Sequence, residues 1–387
     1  MPDAIYDQVA AVLSADGAEA ALTQLAEHLR GAARYHELCD ALLMRARLKL
    51  GLPIIMTQPL DDLRDPVRTQ MENACIEIYR EVGTQLLRSG RVREGWMYLR
   101  PVGERPEVAK ELAQLTPNEE NVDALLELAI HEGVAPRWGF ELLLRERGMC
   151  NSITMYDGVM AQRPLRDRRA VAGLLVQHLY QELVRNIRGD IQRRKGETPA
   201  EESLAALIRD RAWLFDEMNY HVDASHLAAV VRFALTLVDP AELRLAAQLT
   251  DYGQRLHDQY KYAGHPPFED VYPSHGLFFR AQLGEQVDEA LTYFQAQADS
   301  TDPTMEGTEA AEVYVALLAR LERFDAALEA AAKYWPPGAR LTGFAPSLLE
   351  LGHLAHQNER LAAICRDRED LVGYVAGLLD GQITKEI

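Results

Sequence analysis

The chain has 387 residues, of which 48% are apolar and 26% charged, and it carries a formal net charge of −18. That composition excludes disorder throughout, and the length allows either two or three compact units or one elongated array. The acidic balance opposes binding to nucleic acid or to an anionic membrane except where a local patch reverses it.

The amino-terminal stretch "MPDAIYDQVAAVLSADG" has acids where a signal peptide needs a basic region. No apolar run approaches the roughly eighteen residues of a membrane span. Neither export nor a membrane span is predicted. Cys39, Cys75, Cys150 and Cys365 lie far apart with no C-x-x-C pair, the usage of buried free thiols, so a reducing cytoplasm is the expected compartment.

Helix signals dominate and alternating strand patterns are scarce, so the expected class is all-α. Residues 79–102, "YREVGTQLLRSGRVREGWMYLRPV", read as a helical hairpin. Gly83 and Gly95 let two helices approach closely, and Gly90 sits where the chain must turn. Three later junctions share one helix-start chemistry, an oxygen-bearing cap, then proline, then glutamate: Thr116-Pro117-Asn118-Glu119, Thr198-Pro199-Ala200-Glu201 and Asp239-Pro240-Ala241-Glu242. Leu227, Val230, Val231, Ala234, Leu235 and Val238 repeat at the spacing of one helix face.

Two further segments match the hairpin at 79–102. "FRAQLGEQVDEALTYFQAQA" carries one extra residue between Gly284 and Ala290, and "VYVALLARLERFDAALEAAAKYWPP" places Phe324, Ala327 and Ala331 in the second helix before Pro336. Together the three segments resemble the tetratricopeptide repeat, most strongly at 79–102 and 311–336. The resemblance implies an α-α helical-repeat, solenoid-like array that binds a protein or an extended peptide. The middle of the chain departs from the pattern, so the expected organisation is hairpins over 1–115, an irregular helical middle over 116–275 and hairpins over 276–387. The carboxylate clamp of some peptide-binding members does not map onto this sequence.

Two features of the middle stand out. From Arg163 to Lys195, nine basic residues face three acidic ones, which reads either as a solvated helix face or as a docking site for an acidic partner. Five of the eleven histidines (His221, His226, His257, His265 and His275) fall within 221–275. In "NYHVDASHLAAVV", Asp223 is read as a helix cap, with His226 in the first turn and His221 just before it. Ser274 is read as a second cap, with His275 following it. If the two helices begin on one edge, His221, Asp223, His226 and His275 are candidate ligands for a divalent transition metal, and His265 and Asp270 candidate proton carriers.

The plainer reading leaves Asp223 as a cap, His221 as a loop residue, and "YAGHPPFEDVYPSH", residues 262–275, as a stiff connector made rigid by its prolines. Two functions therefore stand side by side. The first is an interaction scaffold. The second is a metal-dependent enzyme, hydrolytic or oxidative, built in the region 221–275.

Overall fold

A computed structural model describes residues 3–56, 59–303 and 305–386. Among these residues the chain is all-α, with nineteen α-helices, short 3₁₀ or π turns, and no strand beyond one isolated bridge between Ala263 and Asp270. It forms two compact units, Met1–Arg145 and Glu146–Ile387.

The first unit holds α1 (Asp3–Asp16), α2 (Ala18–Gly31), α3 (Tyr35–Lys49), α4 (Val67–Arg88), α5 (Val92–Val102), α6 (Arg105–Gln114) and α7 (Val122–Leu126). Its core gathers Leu29 from α2, Leu38 and Leu42 from α3, and Ile78, Val82 and Leu86 from α4. Burying each such side chain contributes roughly 1.5–3 kcal/mol. The expected hairpin is α4–α5. A Cβ added at Gly83 would stand 2.6 Å from Leu99 Cγ, and Gly90 makes the turn at φ +82°.

Helix α8 (Pro136–Val159) is interrupted at Gly148, whose φ is +76°. The second unit continues with α9 (Leu165–Lys195), α10 (Leu204–Arg209), α11 (Ala224–Phe233), α12 (Pro240–Arg255), α13 (Val271–Gln282), α14 (Val287–Ser300), α15 (Glu309–Arg320), α16 (Phe324–Tyr334), α17 (Leu348–Leu354), α18 (Asn358–Asp367) and α19 (Leu371–Glu386). Helices α10, α11 and α12 all pack on the long α9, whose Val171, Leu175, Val176, Leu179, Leu183 and Ile187 are buried. From α12 onward each helix packs on the next. In the second unit α10, α11 and α12 thus cluster round α9, and α12 to α19 follow as a sequential array.

One turn recurs between these helices. Ala33, Gly90, Gly284, Glu322, His356 and Glu369 each adopt a left-handed conformation, with Gln286 a second such residue after Gly284. The residue after each of the six donates its N–H to the carbonyl five positions earlier, at 2.9–3.0 Å, as in Arg34 to Leu29, Arg91 to Leu86 and Arg323 to Leu318. This closes the carbonyl end of one helix while starting the next, so consecutive helices return alongside each other.

The helix starts partly depart from expectation. Asp239 does cap α12, accepting from Ala241 N at 2.9 Å and Glu242 N at 3.1 Å, with Pro240 at the first helical position. Thr116 and Thr198 cap nothing. Asn118 and Asn121 bind each other's backbone in a local turn that delays α7 to Val122. Ser203 caps α10 instead of Thr198, while the Glu201 carboxylate accepts from Arg211 and its carbonyl from Arg188.

Candidate functional site

The histidine-rich region resolves into separate environments. His221 is buried between α9 and α12. Its backbone N–H donates to Tyr252 Oη at 2.8 Å, the same hydroxyl lies 3.0 Å from Nδ1, and Nε2 lies 3.3 Å from Asp190 Oδ2. This set is satisfied when Tyr252 donates to Nδ1 and Nε2–H donates to Asp190, which also receives Arg193 and Arg194. Burial lowers the pKa of the imidazole, and the Asp190 carboxylate offsets part of that shift.

Asp223 is a cap, as expected, accepting from Ser225 N at 2.8 Å and His226 N at 3.3 Å. His226 follows it, half-buried in the first turn of α11. The expected cap at Ser274 does not form. Helix α13 begins at Val271, one turn earlier, because the connector folds back through the Ala263–Asp270 bridge and delivers the chain there. Ser274 Oγ instead donates to the Asp270 carbonyl at 2.6 Å. The Asp270 side chain is exposed.

His275 is thereby carried into the core, stacked on Phe268 at 4.1 Å between ring centroids. Its Nδ1–H donates to the Val271 carbonyl at 2.6 Å, and its buried Nε2 has no partner. Burial pushes its pKa down to about 4, so the ring is neutral at pH 7. The connector 262–270 closes on itself, with Gly264 N donating to Glu269 O at 2.9 Å and Phe268 N to His265 O at 2.7 Å. Phe268 plugs it into the core, and His265 stays exposed. His221, Asp223, His226 and His275 are therefore not assembled as a ligand set. Among the described residues, no group of three or more His, Cys, Asp or Glu side chains is placed to hold a metal.

Apart from Arg163, which precedes it, the basic run lies on α9, and much of it is engaged within the protein. Arg169 donates to the Thr236 carbonyl at 2.7 Å, Arg188 to the Glu201 carbonyl at 2.7 Å, and Arg194 and Lys195 lie over the Trp213 ring at 5.5 and 5.0 Å.

Two concavities are better formed. In the first unit, α3 and α4 line an open groove of about 600 Å³. Leu42, Ala46, Ala74 and Ile78 supply its apolar surface, and Arg45, Lys49, Glu77, Arg80, Glu81 and Arg88 supply its charges. In the second unit, a pocket of about 410 Å³ lies among the end of α8, α9, α11, α15 and residues 342–344. Tyr156 and Phe233 stack at 4.0 Å on its wall, and Phe344 adds a third ring. Arg232 is paired with Asp157 at 3.2 Å.

Helix α15, buried at every position from Ala310 to Ala319, brings Glu312 to this pocket. That carboxylate accepts from Thr308 Oγ1 at 2.8 Å, Thr342 N at 2.9 Å and Thr342 Oγ1 at 2.7 Å. Glu309, one turn earlier, keeps solvent contact at the rim, yet the protein packed round it raises its carboxyl pKa, as does neighbouring Glu312, while His265 pulls it back.

Sequence reasoning missed this pocket because its residues come from five separated segments. Arg168 was one charge within a basic run, and Glu309 has the form of an ordinary acid in the first turn of a helix. No protein-family model matches the sequence, and no curated protein or solved structure was found to be similar to it.

Proposed function

We propose that the chain is a helical-repeat interaction protein of the cytoplasm that holds a protein or an extended peptide against grooves between its helices. The observation that carries this reading is the side-by-side packing of successive helices, joined by the left-handed turn at α2–α3 and α4–α5, with an open groove between the neighbouring α3 and α4. An apolar floor with charged walls of both signs suits a peptide, whose side chains occupy the floor while its polar groups meet the rim. The α4–α5 hairpin, with its paired glycines, supports the likeness to a tetratricopeptide repeat.

A photo-crosslinking amino acid placed at Thr84 or Gln85, within the groove, tests the proposal against one placed at Arg100, which is exposed and outside it. The expected outcome is a discrete crosslinked partner in cells from the groove positions only. Equal labelling from all three positions, or none from the groove, would sink the reading.

A further inference from the structure

Among the described residues, the pocket in the second unit holds two charges without an ion-pair partner. Among the described residues, no acceptor takes a hydrogen bond from the Arg168 guanidinium, and its Nε is buried without a partner. Nor does any Lys or Arg pair with Glu309. The other charges lining the pocket are matched, Arg232 by Asp157 and Glu312 by hydroxyl and backbone donors. Leaving the Arg168 Nε–H buried and unpaired is costly, and a ligand that supplies its acceptor recovers that cost, while Glu309, exposed at the rim, stands open to a cation.

We infer that this pocket binds a small zwitterion with an apolar body, its carboxylate on Arg168 and its ammonium on Glu309. A guanidinium presents a planar fork that suits a carboxylate, and the stacked Tyr156 and Phe233 offer an apolar wall for the ligand's body. The two walls also reject simpler ligands. A plain anion meets Glu309 and Glu312, and a plain cation meets Arg168, so each unipolar ligand gains one contact and loses at the other. The volume of about 410 Å³ lies within the range of small-molecule sites. Both amino acids and short peptides have this chemistry, and they differ in the separation of their charges. The site is independent of the groove between α3 and α4.

Isothermal titration calorimetry on the full chain decides the matter, with L-leucine, L-phenylalanine, leucyl-leucine and 6-aminohexanoate as probes, each beside its amidated and N-acetylated forms. At least one zwitterion is expected to bind, and blocking either end is expected to weaken it by about tenfold or more. The best probe identifies the charge separation, and so distinguishes an amino acid from a peptide. In Arg168→Gln the penalty for amidation disappears, and in Glu309→Gln the penalty for N-acetylation disappears. Circular dichroism first checks that each variant is folded. If Arg168→Gln does not fold, the Glu309→Gln arm decides alone, since that side chain stands at the rim. The inference is overturned if no zwitterion binds at millimolar concentration, if blocked and free forms bind alike, or if a folded variant leaves the corresponding penalty intact.

Discussion

Gly83 and Gly95 bring the backbones of α4 and α5 together so closely that a Cβ on Gly95 would stand 2.9 Å from the Gly83 carbonyl oxygen. The obstacle is backbone as well as the buried Leu87 side chain, also 2.9 Å away, so relief requires the helices to separate. Gly95→Ala should therefore destabilise the protein by about 1–3 kcal/mol despite alanine's better helix propensity. Urea unfolding measures this as a lower midpoint, and an unchanged or higher midpoint would show that the hairpin yields easily.

The recurrent turn makes a prediction of opposite sign at two of its positions. Glu322 holds φ +58° between α15 and α16, a conformation that costs a side-chain-bearing residue roughly 1 kcal/mol. Gly90 holds φ +82° at the equivalent place with nothing within 4 Å of its missing Cβ. Glu322→Gly should raise the melting temperature and Gly90→Ala should lower it. If the two substitutions move stability in the same direction, the turns are not equivalent.

Much of this was legible in the sequence, and the failures have a common cause. Gly83, Gly90 and Gly95 revealed a hairpin because each glycine answers a local need, a close approach or a left-handed turn. Asp239 and Asp223 revealed helix starts because a cap bonds only to its near neighbours. Thr198 misled because Arg188 and Arg211, distant in sequence or across a turn, engage Glu201 and hold the segment out of a helix. The histidines misled for the same reason: whether His221 meets a metal or Asp190 depends on where α9 runs, and spacing within 221–275 does not contain that information. The unpaired charges of Arg168 and Glu309 become visible only once five segments are brought together.

His275 makes stability depend on pH. Its unfolded pKa is about 6.5, whereas burial holds the folded ring near 4. Between those values the unfolded chain binds a proton that the folded chain refuses, so stability falls as pH drops through that window and is fully present above it. The effect amounts to about 3 kcal/mol at its limit. His275→Phe keeps an aromatic ring against Phe268 and removes the titration. Its unfolding free energy should decline less steeply than the parent's between pH 6.5 and 4.5. Parallel curves for the two proteins would mean that the ring accepts a proton while folded.

Glu312 fixes the segment near residue 342 to the buried helix α15 through two hydrogen bonds from Thr342, one from its backbone and one from its hydroxyl. Because the carboxylate is charged and almost fully buried, these bonds are stronger than neutral ones. Glu312→Gln keeps the shape but removes the charge, and only one oxygen remains to accept. Either the Thr342 donors or the Thr308 hydroxyl must then face an amide nitrogen that cannot accept. The expected cost is about 1–3 kcal/mol. Hydrogen exchange gives the sharper reading, because the Thr342 amide should lose protection even where global stability is largely retained. Loss confined to Thr342 and its neighbours would identify Glu312 as the clamp on this wall of the pocket, whereas unchanged protection would mean that Phe344 and its packing alone hold the segment in place.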